Sequence, residues 1–209
     1  MNRTEMILTL IDRLGVVSVR QLHDILKLGT YRNTCRVINQ LSTYLNVVRS
    51  KEKIVYLNKE GRELIASNNE VKKSILFDHM LLANEAYIYF NCPIDWKREQ
   101  ITEVIKEPEY SFRIQVKGLK QAVESKKIIS DSIFTRNGYV HLIEIDNTRQ
   151  MSDNLKKIKN YESMWDDIKQ KYKLQPILYF FTVSENRKRK LARACKSLRA
   201  EVLSFSEIK

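Results

Sequence analysis

The stretch that decides how the second half of the chain folds is Lys127–Phe134 (KIISDSIF), then Thr135-Arg136-Asn137-Gly138, then Tyr139–Asp146 (YVHLIEID). Two apolar, β-branched runs flank Asn-Gly, the strongest short-range signal for a two-residue type I′ turn, because both central residues must take positive φ. With Asn137-Gly138 at the turn, Arg136 pairs with Tyr139, and counting outward brings Asp131 opposite Glu144. Side chains alternate along a strand, so Asp146 is expected on the face of Glu144. Like charges directly opposed in a sheet are unfavourable. A divalent cation (Mg²⁺ or Mn²⁺), a lysine or arginine, or one carboxyl with a raised pKa would each offset the repulsion.

Reading toward the C-terminus, Ser152 is a candidate N-cap for a helix over Asp153–Tyr172 with the apolar stripe Leu155, Ile158, Tyr161, Trp165, Ile168 and Tyr172. Gln175–Val183 (QPILYFFTV) is continuously apolar, which predicts a central strand covered on both faces. Ser184 then caps a basic helix over Glu185–Arg199, and Val202–Phe205 reads as a last strand. Toward the N-terminus, residues 70–90 (EVKKSILFDHMLLANEAYIYF) read as one long connecting helix. Residues 91–126 are not assigned, although Tyr110–Lys117 could hold an extra strand.

Residues 1–68 follow a different code. Thr4–Leu14 carries Ile7, Leu8, Ile11 and Leu14 at helical spacing and stops at Gly15. Ser18–Leu28 follows, with Leu22, Ile25 and Leu26 inward and Gly29 as its stop; Thr30 opens a third helix, Tyr31–Leu45, with Val37, Ile38, Leu41 and Leu45 inward. Val47-Val48-Arg49 and Ile54–Leu57 form a hairpin around Ser50-Lys51-Glu52-Lys53, and Glu60–Ala66 begins another helix. This order resembles a winged helix-turn-helix, and Ile54–Leu64 (IVYLNKEGREL) resembles that superfamily's passage from wing to helix. The third helix turns Tyr31, Arg32, Asn33, Arg36, Asn39 and Gln40 outward. Arginine suits guanine, asparagine and glutamine suit adenine, and Lys51 and Lys53 suit phosphate. The same polar face would also serve a winged helix that contacts proteins.

The order from Asp131 through Glu144-Ile145-Asp146 to helix, strand and helix resembles the PD-(D/E)xK nuclease-like fold. The resemblance implies Mg²⁺ held by Asp131 and Glu144, with a lysine two residues after the glutamate. Asp146 stands at that lysine's position, either as a third metal ligand or as a sign of a catalytically dead fold. Lys157 or Lys159 on the next helix would have to supply the ammonium, and Lys157 shares a helical face with Tyr161. Four further segments resemble the replication-relaxation family of Gram-positive plasmids, integrative elements and phages: Asp78–Asn84 (DHMLLAN), Glu144–Tyr161 (EIDNTRQMSDNLKKIKNY), Ile177–Thr182 and Ser184–Arg187 (SENR). That resemblance implies a DNA-binding accessory protein for plasmid replication initiation or relaxase loading, with a relaxase or replication protein as partner.

Bulk composition agrees with a polyanionic partner. The 209 residues hold 37 Lys and Arg against 25 Asp and Glu, a formal charge of +12, and the pI is near 9.6. The helix at 185–199 alone carries seven cations, of which Arg189, Arg193 and Lys196 share an outer face suited to phosphate or simply to solvent. Cys35, Cys92 and Cys195 suggest neither a disulfide framework nor a zinc site, and His23, His79 and His141 stand alone, His79 within the family-like phrase. The N-terminus is too polar for a signal peptide, and no apolar run approaches a membrane span. The expectation is a cytoplasmic α+β protein with a winged helix over 1–68 and a restriction-endonuclease-like α/β domain over 69–209. Its expected partner is double-stranded DNA, as a monomer or homodimer, with no obligatory cofactor. A Mg²⁺-dependent endonuclease, and a transcriptional regulator or oligomeric scaffold, are the competing readings.

Overall fold

The computed structural model describes residues 2–72, 76–106, 124–147 and 149–208; the candidate strand Tyr110–Lys117 lies outside them. The chain forms a mixed α+β fold with two sheets. It opens with α1 (Arg3–Leu14), β1 (Val17–Ser18), α2 (Val19–Leu26) and α3 (Tyr31–Gln40). A 3₁₀ turn (Ser42–Tyr44), β2 (Leu45–Arg49), β3 (Lys53–Leu57) and α4 (Lys59–Leu64) follow. Asn2, Ser18, Thr30 and Asn58 each cap a following helix by accepting a backbone N–H, so four helix starts are fixed locally. The three short strands form an antiparallel sheet in the order β1-β3-β2. Several expected boundaries move. α2 stops at Lys27, which takes the left-handed conformation before Gly29 is reached. α3 ends at Gln40, because Leu41 and Leu45 enter the core through the 3₁₀ turn and β2 rather than through more helix.

The second part comprises α5 (Phe77–Tyr89), β4 (Lys97–Lys106), β5 (Glu124–Arg136), β6 (Tyr139–Asp146), α6 (Met151–Tyr172), β7 (Gln175–Thr182), α7 (Glu185–Ala194) and β8 (Ala200–Ser204). The helix expected from residue 70 begins at Phe77, with residues 73–75 outside the description. α6 is capped at Gln150, not Ser152, and Leu155 of its expected stripe is exposed while Asn154 is buried. α7 ends at Ala194 rather than at Arg199. The five strands order as β4-β5-β6-β7-β8, antiparallel as far as β6 and parallel from β6 to β8. Two successive crossovers of one hand, moving the same way across a sheet, set α6 and α7 on one face. There Ile158, Tyr161, Ile168 and Leu191 pack on Val140, Leu142, Leu178 and Phe180.

The opposite face of the sheet does not meet solvent. Phe134, Ile143, Ile145 and Phe181 join Ala83, Ala86 and Tyr87 of α5 and the interior of α1–α3 in one continuous core. Arg98 of β4 secures that junction by donating from Nε to the Arg13 carbonyl (2.7 Å) at the end of α1. A Cβ at Gly15 would lie 2.2 Å from the Arg98 guanidinium and force it to move, and the φ of 77° there would strain any other residue. No helix among the described residues is long and apolar enough to cross a membrane.

Candidate functional site

The hairpin register is the one counted from the turn. Asn137 and Gly138 take φ of 52° and 79°, and pairing runs from Arg136↔Tyr139 to Ser132↔Ile143. At Asp131 the ladder changes character. Its Oδ2 accepts the Ile145 N–H at 2.7 Å, a side chain standing where a backbone carbonyl would. Ile128 and Ser130 face α6, and so does Ile133, so the alternation slips by one across Asp131-Ser132. Opposite, Glu99 of β4 has φ of 48°. The slip lets Asp131 reach both sides of the sheet: Lys157 Nζ of α6 lies 3.8 Å from Oδ1 and His79 Nε2 of α5 lies 3.4 Å from Oδ2.

Glu144 completes the cluster from β6 and is 1 % exposed. Lys157 Nζ donates to its Oε2, and the Tyr161 hydroxyl donates to Oε1 at 2.6 Å, itself 2.9 Å from Ser130 Oγ. Burial and the neighbouring Asp131 push the Glu144 carboxyl up to about 8, against the pull of Lys157 and Tyr161. Burial opposes ionisation of Asp131 as well, but His79, Lys157 and the Ile145 amide outweigh it and hold that carboxyl below its ordinary range. Two adjacent carboxyls are thus driven apart in acidity, one ionised and one protonated at neutral pH.

Asp146 lies on the same face as Glu144 but belongs to a different set. Its carboxylate, fully buried, accepts from Asn154 (2.6 Å), Thr182 (2.7 Å) and the Arg187 guanidinium at both oxygens (2.5 and 2.6 Å). Burial raises its pKa less than Arg187, Thr182 and Asn154 lower it, so the carboxyl lies below its ordinary range and stays charged. The three acids expected to hold Mg²⁺ or Mn²⁺ therefore do not converge, and among the described residues no group of three or more His, Cys, Asp or Glu is placed to hold a metal ion. The donor chemistry tells the same story. Asp131 Oδ2 and both Glu144 oxygens are hydrogen-bonded to protein groups, and the Lys157 ammonium stands between the acids, 3.8 Å from Asp131 Oδ1. As arranged, these residues do not fit a divalent ion.

The polar face of α3 has the opposite character. Tyr31, Arg32, Arg36, Asn39 and Gln40 are exposed, while Thr34, Val37 and Ile38 on the other side are sealed into the core. They line one shallow groove together with Thr30 and Cys35, Tyr31 excepted. Tyr31 stands edge-on to His23. Asn33 is half-buried and structural: its amide donates to the Leu28 carbonyl (2.7 Å) and its oxygen accepts from Arg36 (2.9 Å). Lys53 Nζ donates to Asn39 Oδ1 (2.6 Å), which ties the β2–β3 hairpin to the helix, and Lys51 is exposed at the hairpin tip. Arg20 of α2 bonds Glu52 of that tip and Glu85 of α5, bracing the hairpin from behind.

On α7, Arg187 is engaged with Asp146 and Lys188 with Glu207. Arg189 and Arg193 remain exposed on the helix; Lys196 is exposed but lies past its end. Sequence reasoning missed the roles of His79, Tyr161, Asn154 and Arg187. A signal for two of them was present: Asn154, Lys157 and Tyr161 stand at i, i+3 and i+7, a polar stripe on the buried side of an otherwise apolar face. His79 and Arg187 meet their acids across 52 and 41 positions of sequence, a proximity that only the fold supplies.

The family model described as Replication-relaxation matches residues 8–178, a span that ends before α7. No curated protein and no solved structure matches the chain.

Proposed function

We propose, for a chain that belongs to the replication-relaxation family, that it binds double-stranded DNA as an accessory protein in the replication or relaxase-linked transfer of a mobile element. In this reading residues 1–68 act as a winged helix-turn-helix and residues 69–209 as a nuclease-like α/β unit. One observation carries it. Arg32, Arg36, Asn39 and Gln40 stand on the solvent side of a helix whose other side is buried, with a lysine-bearing hairpin bonded beside it. A helix of that kind fits a major groove, its first turns reaching base edges, while Lys51 and Lys53 meet the flanking phosphates. Arg189, Arg193 and Lys196 offer a second set of phosphate contacts. Asn33 is withdrawn from the base-reading set because its amide is already engaged with Leu28. The test is selection of a preferred duplex from a random pool, followed by titration of wild type, Arg32→Ala and Arg36→Ala on that duplex and on random DNA. Selective loss on the preferred duplex is expected; equal loss on both would show that the helix does not read bases.

A second reading, a PD-(D/E)xK-type endonuclease, draws on one observation: Lys157 does reach Glu144 and Asp131 from α6. A nucleophilic water would need a base or cation within hydrogen-bond reach, and Lys157 is instead committed to the carboxylates. The expected outcome with supercoiled plasmid and Mg²⁺ or Mn²⁺ is no cleavage. Nicking abolished by both Glu144→Gln and Lys157→Ala would establish the endonuclease.

A further inference from the structure

The acid pair and its lysine carry an inference independent of DNA binding. Two carboxyls sit on neighbouring strands at 13 % and 1 % side-chain exposure, and burial forces their charge to be answered: Asp131 stays ionised against cationic neighbours, while Glu144 keeps a proton at neutral pH. His79 Nε2 faces Asp131 Oδ2 alone, at 3.4 Å, whereas Lys157 meets both acids. Lys157 Nζ bridges Asp131 Oδ1 and Glu144 Oε2, and its own side chain is 14 % exposed. It therefore stands in the gap between the acids, not beside them in solvent. The other two oxygens are closed by groups that cannot leave easily: the Ile145 amide belongs to β6, and the Tyr161 hydroxyl is fully buried and also meets Ser130.

We infer that Asp131 and Glu144 form a cation site whose occupant is the ammonium of Lys157, so that the protein's own side chain keeps a divalent metal out.

Three features follow from that arrangement. Lys157 is the one cationic member of the cluster from α6, approaching through four rotatable carbons, so removing its charge opens the gap without altering the strands that hold the acids. A metal entering the intact site would have to displace a hydrogen-bonded ammonium or sit within about 4 Å of it, an arrangement Coulomb repulsion disfavours in a buried setting. Removing Lys157 leaves the Asp131 carboxylate and the Glu144 carboxyl facing each other without their shared cation, and a hard oxygen-seeking cation that displaces the Glu144 proton would restore the charge balance.

The test uses the full chain and Mn²⁺ as the probe, read by thermal unfolding and by the loss of the free Mn²⁺ electron paramagnetic resonance signal. For wild type, the unfolding temperature is expected to stay unchanged by millimolar Mn²⁺ and the free-ion signal to persist. For Lys157→Gln, Mn²⁺ at ~100-fold excess over its dissociation constant should raise the unfolding temperature by about 5–10 °C. The double variant Lys157→Gln, Asp131→Asn should lose that rise. Binding of Mn²⁺ by wild type, abolished by Asp131→Asn, would overturn the inference. So would a folded Lys157→Gln protein that takes up no Mn²⁺, because the acids would then not form a cation site at all. Should Lys157→Gln fail to fold, Lys157→Met tests the same opening without a polar side chain. DNA titration of the same variants separates this outcome from the proposed function, since Asp131, Glu144 and Lys157 stand on β5, β6 and α6 and the DNA-reading residues on α3.

Discussion

The outer face of α3 and the inner face of α6 carry similar residues to opposite ends. Both present basic and amide side chains at helical spacing: Arg32, Arg36 and Asn39 on one, Asn154 and Lys157 on the other. On α3 the arginines point into solvent, and the contacts they make are with a neighbouring amide. On α6 each polar side chain is pinned to a buried acid of β6. Charge in solvent keeps its counterions and can exchange them for phosphate, which is how cations contribute to DNA affinity. Charge consumed inside the fold contributes nothing to that exchange and acts instead on stability. The 37 lysines and arginines therefore overstate the cations available to a polyanion; Arg187 and Lys157, each paired with a buried acid, are not among them.

The largest consequence falls on the buried side. Arg187→Ala leaves the Asp146 carboxylate buried with only neutral donors and should cost about 3–5 kcal/mol in denaturant unfolding; a loss below about 1 kcal/mol would mean that the ion pair is not what holds α7 to β6.

Glu144 gives the next contrast. Its carboxyl titrates near 8 in the folded chain and near 4.3 when unfolded, so the native state binds the extra proton between those values. Stability should accordingly be fully expressed below about pH 4.3 with respect to this group and decline as pH rises toward 8. Glu144→Gln should flatten that decline, and an unchanged slope would show that another group causes it. Asp131 acts in the other direction and lower on the scale: with its folded carboxyl held down, its contribution is present above its unfolded value and lost on acidification.

On the exposed side the effects are smaller and appear in binding. Arg32→Ala and Arg36→Ala should each lose about 1–3 kcal/mol of discrimination per base contact, with unfolding free energy unchanged. Lys51→Ala should weaken all duplexes alike and reduce the salt slope by about one unit. Thermal melts beside the titrations sharpen the comparison, because the buried set should move stability and spare DNA, and the exposed set the reverse.

The legibility of the sequence divides along the same line. The β5–β6 hairpin was readable because Asn137-Gly138 dictates the turn and the turn dictates the register. The N-caps Ser18, Thr30 and Ser184 were readable because a cap acts within three residues. β4 escaped because its polar, charged run (KREQITEV) lies at the sheet edge and includes a left-handed residue, Glu99, so its alternation is blurred. α7 was drawn too long because basic residues continue past Ala194, where the chain turns into β8. The turn count sets Asp131 opposite Glu144 with Asp146 on the face of Glu144, and the opposed pair calls for compensation. Which cation answers which acid depends on two crossover helices and α5, and no local pattern encodes that.

The most direct test of the central contrast is the salt dependence of DNA affinity for three proteins on one duplex: wild type, a variant with Arg32, Arg36 and Lys51 changed to alanine, and Lys157→Gln. The account predicts a logarithmic slope that falls by about one unit in the triple variant, from the phosphate contact of Lys51, and stays at the wild-type value in Lys157→Gln. An unchanged slope in the triple variant, or a reduced one in Lys157→Gln, would contradict it.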